Sequence, residues 1–151
     1  MAEALALAKE AGKRGEVPVG AVIEKDGLII GTGYNLTETL KDPTAHAEIL
    51  AIRDAASKLG GWRLLDCNMY VTCEPCAMCA GALVLARIKK LVIGVMDPKS
   101  GACGSVFNVP GERRLNHFIE VETGILADEC QAIMKSFFKE KRKKSTEDVN
   151  I

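Results

Sequence analysis

At 151 residues, 48% of them hydrophobic and 26% charged, the chain has the size of one ordinary domain and the balance of a folded globular protein, not a disordered or fibrous one. Twenty basic and twenty acidic residues cancel to a formal net charge of zero, which excludes a globally basic nucleic-acid footprint. No apolar run approaches the ~20 residues of a membrane span, and the N-terminal stretch, broken by Glu3, Lys9 and Glu10, lacks the apolar segment of a secretory signal, so the expected location is cytoplasmic.

Residues 3–14 are rich in Ala, Leu, Glu and Lys, and Gly15 ends the run, so a first helix is expected there. Two β-branched runs, 17–23 and 28–32, flank Asp26-Gly27, a pair suited to the positive φ values of a tight turn; they read as an antiparallel hairpin. Residues 34–44 are polar and read as a loop, with Thr44 placed to cap a helix over 45–59 that Gly60-Gly61 stops. A short strand at 68–72, an apolar helix at 76–86 entered after Pro75, and a buried strand at 91–95 follow.

Residues 97–114 are a Gly- and Pro-containing loop, 118–122 a strand, and 126–141 a last helix with Ile133, Met134, Phe137 and Phe138 on its inner face. The alternation of strands and helices predicts an α/β fold, with a central sheet of about five strands covered by helices on both faces. One domain over residues 1–144 is expected, with a frayed tail at 145–151.

Charge and cysteine are unevenly spread. Residues 135–144 carry a net charge of +5, which leaves about −5 on the rest and permits a local phosphate-binding patch. Three of the six cysteines fall in one seven-residue run, Cys73-Glu-Pro-Cys76-Ala-Met-Cys79. In a chain without secretory features such clustering points to metal binding or catalysis over disulfides.

His46-Ala-Glu48 and, about 30 residues on, Pro75-Cys76-Ala-Met-Cys79 supply three good zinc ligands and one acid. A catalytic zinc takes three protein ligands and leaves its fourth tetrahedral position to water. Cys76 and Cys79, three apart at a helix start, point to one side, and the positive helix end favours their metal-binding thiolates. Water activated by such a zinc attacks the amine-bearing carbon of adenine or cytosine, and Glu48 carries its proton to the departing amine. His46 and Glu48 pose a puzzle, because residues two apart on a regular helix do not share a face.

A lone Cys-x-x-Cys also fits half of a structural zinc site or a redox pair. The upstream His-x-Glu and the Pro before the first Cys convert it into the signature of zinc nucleobase deaminases. Cys73 and Cys76 form a second Cys-x-x-Cys, but Cys73 falls at a strand end and reads as a partly buried bystander. Cys67, Cys103 and Cys130 read as small buried thiols, and His117 and Trp62 as packing or surface residues.

Longer stretches narrow the field: Glu16-Val-Pro-Val-Gly20, Asp42-Pro-Thr-Ala-His-Ala-Glu48, Glu74-Pro-Cys-Ala-Met-Cys-Ala-Gly-Ala82, Asp97-Pro-Lys-Ser-Gly-Ala-Cys-Gly-Ser105, Asn116-His117 and Gly124-Ile-Leu-Ala-Asp-Glu-Cys130. Through them, over nearly its whole length, the chain resembles the bacterial tRNA-specific adenosine deaminases of the cytidine deaminase-like superfamily. The resemblance implies that superfamily's three-layer α/β/α fold. It also implies conversion of adenosine to inosine at the wobble position of a tRNA anticodon loop, one zinc ion per chain, and a homodimer.

It further implies that His46, Cys76 and Cys79 hold the metal, Glu48 shuttles protons, Asn35 contacts the base and Asp97 lies near the RNA backbone. The chain departs from the family pattern at Cys73 and Cys103, neither of them an implied ligand. Two competing readings are a deaminase of a free purine or pyrimidine metabolite and a non-catalytic zinc module that binds RNA. The basic C-terminal helix favours tRNA over the first, and Glu48 argues against the second, since an idle zinc site needs no acid beside its ligands.

Overall fold

The computed structural model describes residues 1–147. Helix α1 (Ala2–Lys13) precedes a hairpin of β1 (Gly20–Lys25) and β2 (Leu28–Tyr34). Then come α2 (Thr37–Leu40), α3 (Ala47–Leu59), β3 (Asn68–Cys73), α4 (Ala77–Leu85), β4 (Lys90–Val95), β5 (Glu120–Thr123) and α5 (Ala127–Glu147).

The strands form one mixed sheet in the order β2-β1-β3-β4-β5. β1 is antiparallel to both β2 and β3, whereas β3, β4 and β5 run parallel. Helices α1 and α5 cover one face, and α3 and α4 the other. This is the three-layer α/β/α arrangement with five strands that the sequence implied. Because both faces are covered, residues 20–23 of β1 and 91–94 of β4 are buried consecutively instead of alternately. Ile23, Met69, Val71, Leu83, Leu91 and Ile93 are fully buried in this core, and truncating one of them to Ala costs roughly 2–5 kcal/mol.

Two local features seat the working end of the molecule. Asp26 and Gly27 have φ of 52° and 80°, the hairpin turn expected from their sequence. At Gly33 of β2 a Cβ would lie 2.2 Å from the carbonyl oxygen of Ala47, so only glycine lets the first turn of α3 rest on the strand backbone.

Several boundaries differ from the sequence expectation, each for an identifiable reason. β1 begins at Gly20, not residue 17, since Pro18 has no N–H to donate and the Val19 N–H turns back to the Val17 carbonyl. Thr44 does not cap α3; its N–H and hydroxyl both donate to Asp42 Oδ1, at 2.8 and 2.7 Å, and the cap residue is His46. The short α2 lies in the stretch expected to be loop. Its first turn is held by the buried Glu16 carboxylate, which accepts from the Thr37 and Thr39 hydroxyls and the Glu38 and Thr39 N–H groups.

At the other end, β5 starts at Glu120, two residues late, because the Ile119 N–H donates to Pro110 instead of joining the ladder. Helix α5 continues to Glu147, past the expected end at 141, through a run of good helix formers. The Ser145 and Thr146 hydroxyls donate back to the Lys141 and Arg142 carbonyls. The expected tail therefore falls within this helix at 145–147, and its remainder, 148–151, lies outside the described residues. Among those described, no helix is long and apolar enough to cross a membrane.

Candidate metal centre and cleft

The chemistry-bearing residues gather at two helix starts on one face of the sheet. α4 follows β3 within a β3–α4–β4 unit, so its N-terminus sits at the carboxyl end of a parallel strand, where α/β sheets place their sites. α3 reaches the same end from the hairpin side, seated on Gly33.

His46 and Cys76 are the cap residues of α3 and α4, and both have extended backbones, with φ/ψ of −79°/152° and −71°/176°. That resolves the puzzle of His46 and Glu48. His46 is not yet on the helix, so the rule separating helical residues two apart does not bind it, and both side chains turn to the same space. Cys79 follows one turn into α4 and is buried.

The ligand atoms of His46, Cys76 and Cys79 all lie within 4.8 Å of one another and could hold a metal ion. His46 Nδ1 faces the Cys76 and Cys79 sulfurs at 3.7 and 3.6 Å. Hydrogen bonds from Cys79 and His46 pull the Cys76 thiol down to about 3, while the Cys76 thiolate, with burial, pushes the Cys79 thiol up. The hydrogen bond with Cys76 raises the imidazole pKa of His46. Two thiolates side by side repel, so binding of a cation by both sulfurs would release the Cys79 proton.

Glu48 lies in the first turn of α3, only 3% exposed, and lines the cleft without joining the trio. Burial pushes its carboxyl up to about 7. Asn35 is buried just past the end of β2, and its Oδ1 accepts the Ala47 N–H at 2.9 Å. Asn35 also lines the cleft, where its Nδ2 is a hydrogen-bond donor. Asp97 lies just past the end of β4, and its carboxylate accepts from the Lys99 N–H and the Ser100 hydroxyl. Burial acts to raise its pKa, but these hydrogen bonds outweigh it and hold the carboxyl below its ordinary value. Cys73 stands at the end of β3, outside the trio, its thiol pushed up to about 12 by burial.

His46, Glu48, Asn35, Cys73, Cys76 and Asp97 line one cleft of about 1030 Å³. A MafB19-like deaminase family profile matches residues 1–142. The tRNA-specific adenosine deaminase of Bacillus subtilis (strain 168) is 49% identical over 144 residues, 95% of this chain and 89% of that protein. The chain belongs to the tRNA-specific adenosine deaminase family. Among solved structures, one from a study of A-to-I editing by tRNA:A34 deaminases at the wobble position of transfer RNA has a TM-score of 0.83 and 45% identity, covering 86% of this chain and 94% of that one. A guanine deaminase from Nitrosomonas europaea is similar at a TM-score of 0.78 and 27% identity, over 90% of this chain and 81% of that one.

In this deaminase the far wall of the cleft is one face of α5: Gln131, Lys135, Phe138, Lys139 and Arg142. The charge run was legible in the sequence, but its division was not. Lys139 and Arg142 face the cleft with Lys135, whereas Lys141, Lys143 and Lys144 are not among its lining residues. The expected apolar inner face of α5 is also narrower than its sequence suggests. Met134 packs on the core, while Phe138 is 39% exposed and lines the cleft. Spacing of four and three from Lys135 through Lys139 to Arg142 is the signal that picks out the cleft-facing cations.

Proposed function

We propose that this deaminase hydrolyses the amine of adenosine at the wobble position of a tRNA anticodon loop, consuming one water and releasing ammonia and inosine, with one zinc ion per chain held by His46, Cys76 and Cys79. The observation that carries the reading is the continuity of a single cleft from His46, Cys76 and Glu48 to three cations on α5. A small neutral substrate has no use for such a wall, whereas an RNA brings phosphates to it.

The trio fits zinc. Bonds of about 2.3 Å to sulfur and about 2.0–2.1 Å to nitrogen at a tetrahedral angle put N and S about 3.5 Å apart, against 3.6 and 3.7 Å here. Three donors leave one position for solvent. Zinc, when bound, supplies a water whose pKa falls from about 15.7 toward about 7.

Glu48, with a carboxyl near 7, exchanges protons readily at neutral pH. It accepts the two protons of the attacking water in turn and delivers one to the ring nitrogen and one to the departing amine. Asn35 Nδ2 donates to an acceptor on the base, and Asp97 lies toward the RNA backbone. Unpaired loop bases enter such a pocket more cheaply than stacked ones. Exposed Met78 and Leu85 on α4, with Val106, Phe107 and Phe118 on the segment between β4 and β5, support a second copy of the chain as partner. The working unit is one zinc deaminase domain over residues 1–144, acting in the cytoplasm.

The test is incubation of the zinc-loaded protein with an anticodon stem-loop carrying adenosine at the wobble position, followed by nucleoside detection. Inosine at that position supports the reading, and an unreacted stem-loop contradicts it. The likeness to a guanine deaminase supports one second reading, deamination of a free purine, which the same assay with guanine distinguishes.

A further inference from the structure

Glu74 lines the cleft one residue before Pro75-Cys76 yet does none of the chemistry assigned above. It is 4% exposed, and its two oxygens are surrounded by a single loop. Oε1 accepts the N–H groups of Cys103 and Ser105, both at 3.0 Å. Oε2 accepts the N–H of Asp97 at 2.8 Å and the hydroxyl of Ser105 at 2.5 Å. A carboxylate offers about four acceptor sites, so Glu74 is saturated. It has no lone pair left for a metal, and no free oxygen for a substrate proton.

The fit is tight from the other side as well. A Cβ on Gly101 would stand 2.1 Å from Glu74 Oε2, so the loop wraps the carboxylate only because this position has no side chain. Gly101 forms an antiparallel bridge with Cys76, and the Ala102 N–H donates to the Pro75 carbonyl at 2.8 Å. The backbone of Glu74 is fixed too, its N–H donating to Val95 at the end of β4.

We infer that Glu74 is a positioning residue, which locks the substrate-facing Asp97–Ser105 loop in register with the start of the metal helix. Residues 97–100 and Cys76 line the same cleft. The Gly101–Cys76 bridge and the Ala102–Pro75 hydrogen bond tie the middle of the loop to the helix start, and the buried Glu74 carboxylate pins both its ends, at Asp97 and at Cys103 and Ser105, so the placing of the wall against the bound base depends on Glu74. The effect on RNA rests on the tRNA reading; the effect on the loop does not.

The experiment compares Glu74→Gln, Gly101→Ala and the milder Ser105→Ala in the zinc-loaded enzyme. In Glu74→Gln one oxygen becomes an NH₂ that cannot accept from Asp97. Gly101→Ala displaces the carboxylate from outside. Both should speed amide exchange at Asp97, Cys103 and Ser105 by about 10-fold or more while leaving β3 and β4 protected. Both should raise KM for the stem-loop on the order of 10-fold, with a smaller fall in kcat and one zinc retained. The double variant should be no worse than either single one, because both break the same lock.

Ser105→Ala, which removes one hydroxyl donor, should show the same pattern in weaker form and serves where the others do not fold. Unchanged exchange at the three amides overturns the inference whatever the substrate proves to be. So does exchange that rises equally across the sheet, or loss of zinc and kcat with KM unmoved. A wild-type enzyme that leaves the stem-loop untouched overturns only the tRNA reading, since the exchange arm still decides the role of Glu74.

Discussion

The Ala47 N–H donates to Asn35 Oδ1 at 2.9 Å, so the residue that follows β2 also caps the first turn of α3. His46 makes no side-chain cap bond of its own, and Asn35 supplies the acceptor that the helix start lacks. One residue thus holds the start of the metal-ligand helix and lines the cleft.

Asn35→Asp separates these two tasks. The carboxylate still accepts from Ala47, so stability should change by less than about 1 kcal/mol. The cleft, however, exchanges a donor for a charged acceptor, and kcat/KM should fall by about 10²-fold or more. Steady-state kinetics beside thermal melts of the zinc-loaded variant check both halves. A variant with full activity removes Asn35 from base recognition.

Metal content separates the trio from Cys73. One zinc per chain is expected in the wild type and in Cys73→Ala, and well below one in His46→Ala, Cys76→Ser and Cys79→Ser. Elemental analysis of the purified proteins reads this directly; zinc lost from Cys73→Ala but kept by His46→Ala would reverse the ligand assignment.

Glu48→Gln keeps the size of the side chain and removes its titration. Zinc and RNA binding should persist, with turnover lowered by about 10²–10⁴-fold. Single-turnover measurement on the stem-loop is the check, and near-normal turnover would falsify the proton-transfer role.

Position on α5 should decide which cations matter. Lys139→Ala or Arg142→Ala should weaken RNA binding for every sequence alike and flatten the salt slope by about 0.7–0.9 each. Lys143→Ala, whose side chain is absent from the cleft lining, should leave the slope unchanged. Binding isotherms at several salt concentrations distinguish the cleft face from the whole cluster.

Glu16 gives a prediction about stability instead of activity. Burial acts to raise its pKa, but hydrogen bonds from Thr39, Glu38 and Thr37 outweigh it and hold the carboxyl below its ordinary 4.5. A group with a depressed folded pKa stabilises fully above its unfolded pKa and loses that contribution as pH falls through the folded value. Glu16→Ala should therefore cost about 1–2 kcal/mol at pH 7, where it removes the acceptor for four part-buried donors in the first turn of α2. The difference from wild type should shrink as the pH drops below 4.5. Urea unfolding of both proteins across that range tests the sign.

How much was legible in the sequence depended on the range of the interactions. Strand and helix order came from local pattern, and the trio with Glu48 from spacing. The bend that lets His46 and Glu48 share a space was not legible, because it is a backbone dihedral at a cap residue, set by the seating of α3 on Gly33 and by Asn35. The short α2 and the loop around Glu74 escaped for a related reason. Each is organised by a buried carboxylate distant in sequence, Glu16 from 21–23 residues away and Glu74 from 23–31. The Lys/Arg run on α5 was plain as composition, but its cleft-facing stripe needed the helix to be placed against β4.

The most direct test of the central claim is a side-by-side comparison of kcat/KM for a wobble-adenosine stem-loop, the same loop with cytosine, the same loop as DNA, free adenosine and free guanine. The RNA stem-loop should outrank all the others, since only it offers an unpaired adenine, phosphates for Lys135, Lys139 and Arg142, and the 2′-hydroxyls that distinguish RNA. If free guanine or free adenosine is turned over more efficiently than the stem-loop, the cleft serves a metabolite and the tRNA reading is contradicted.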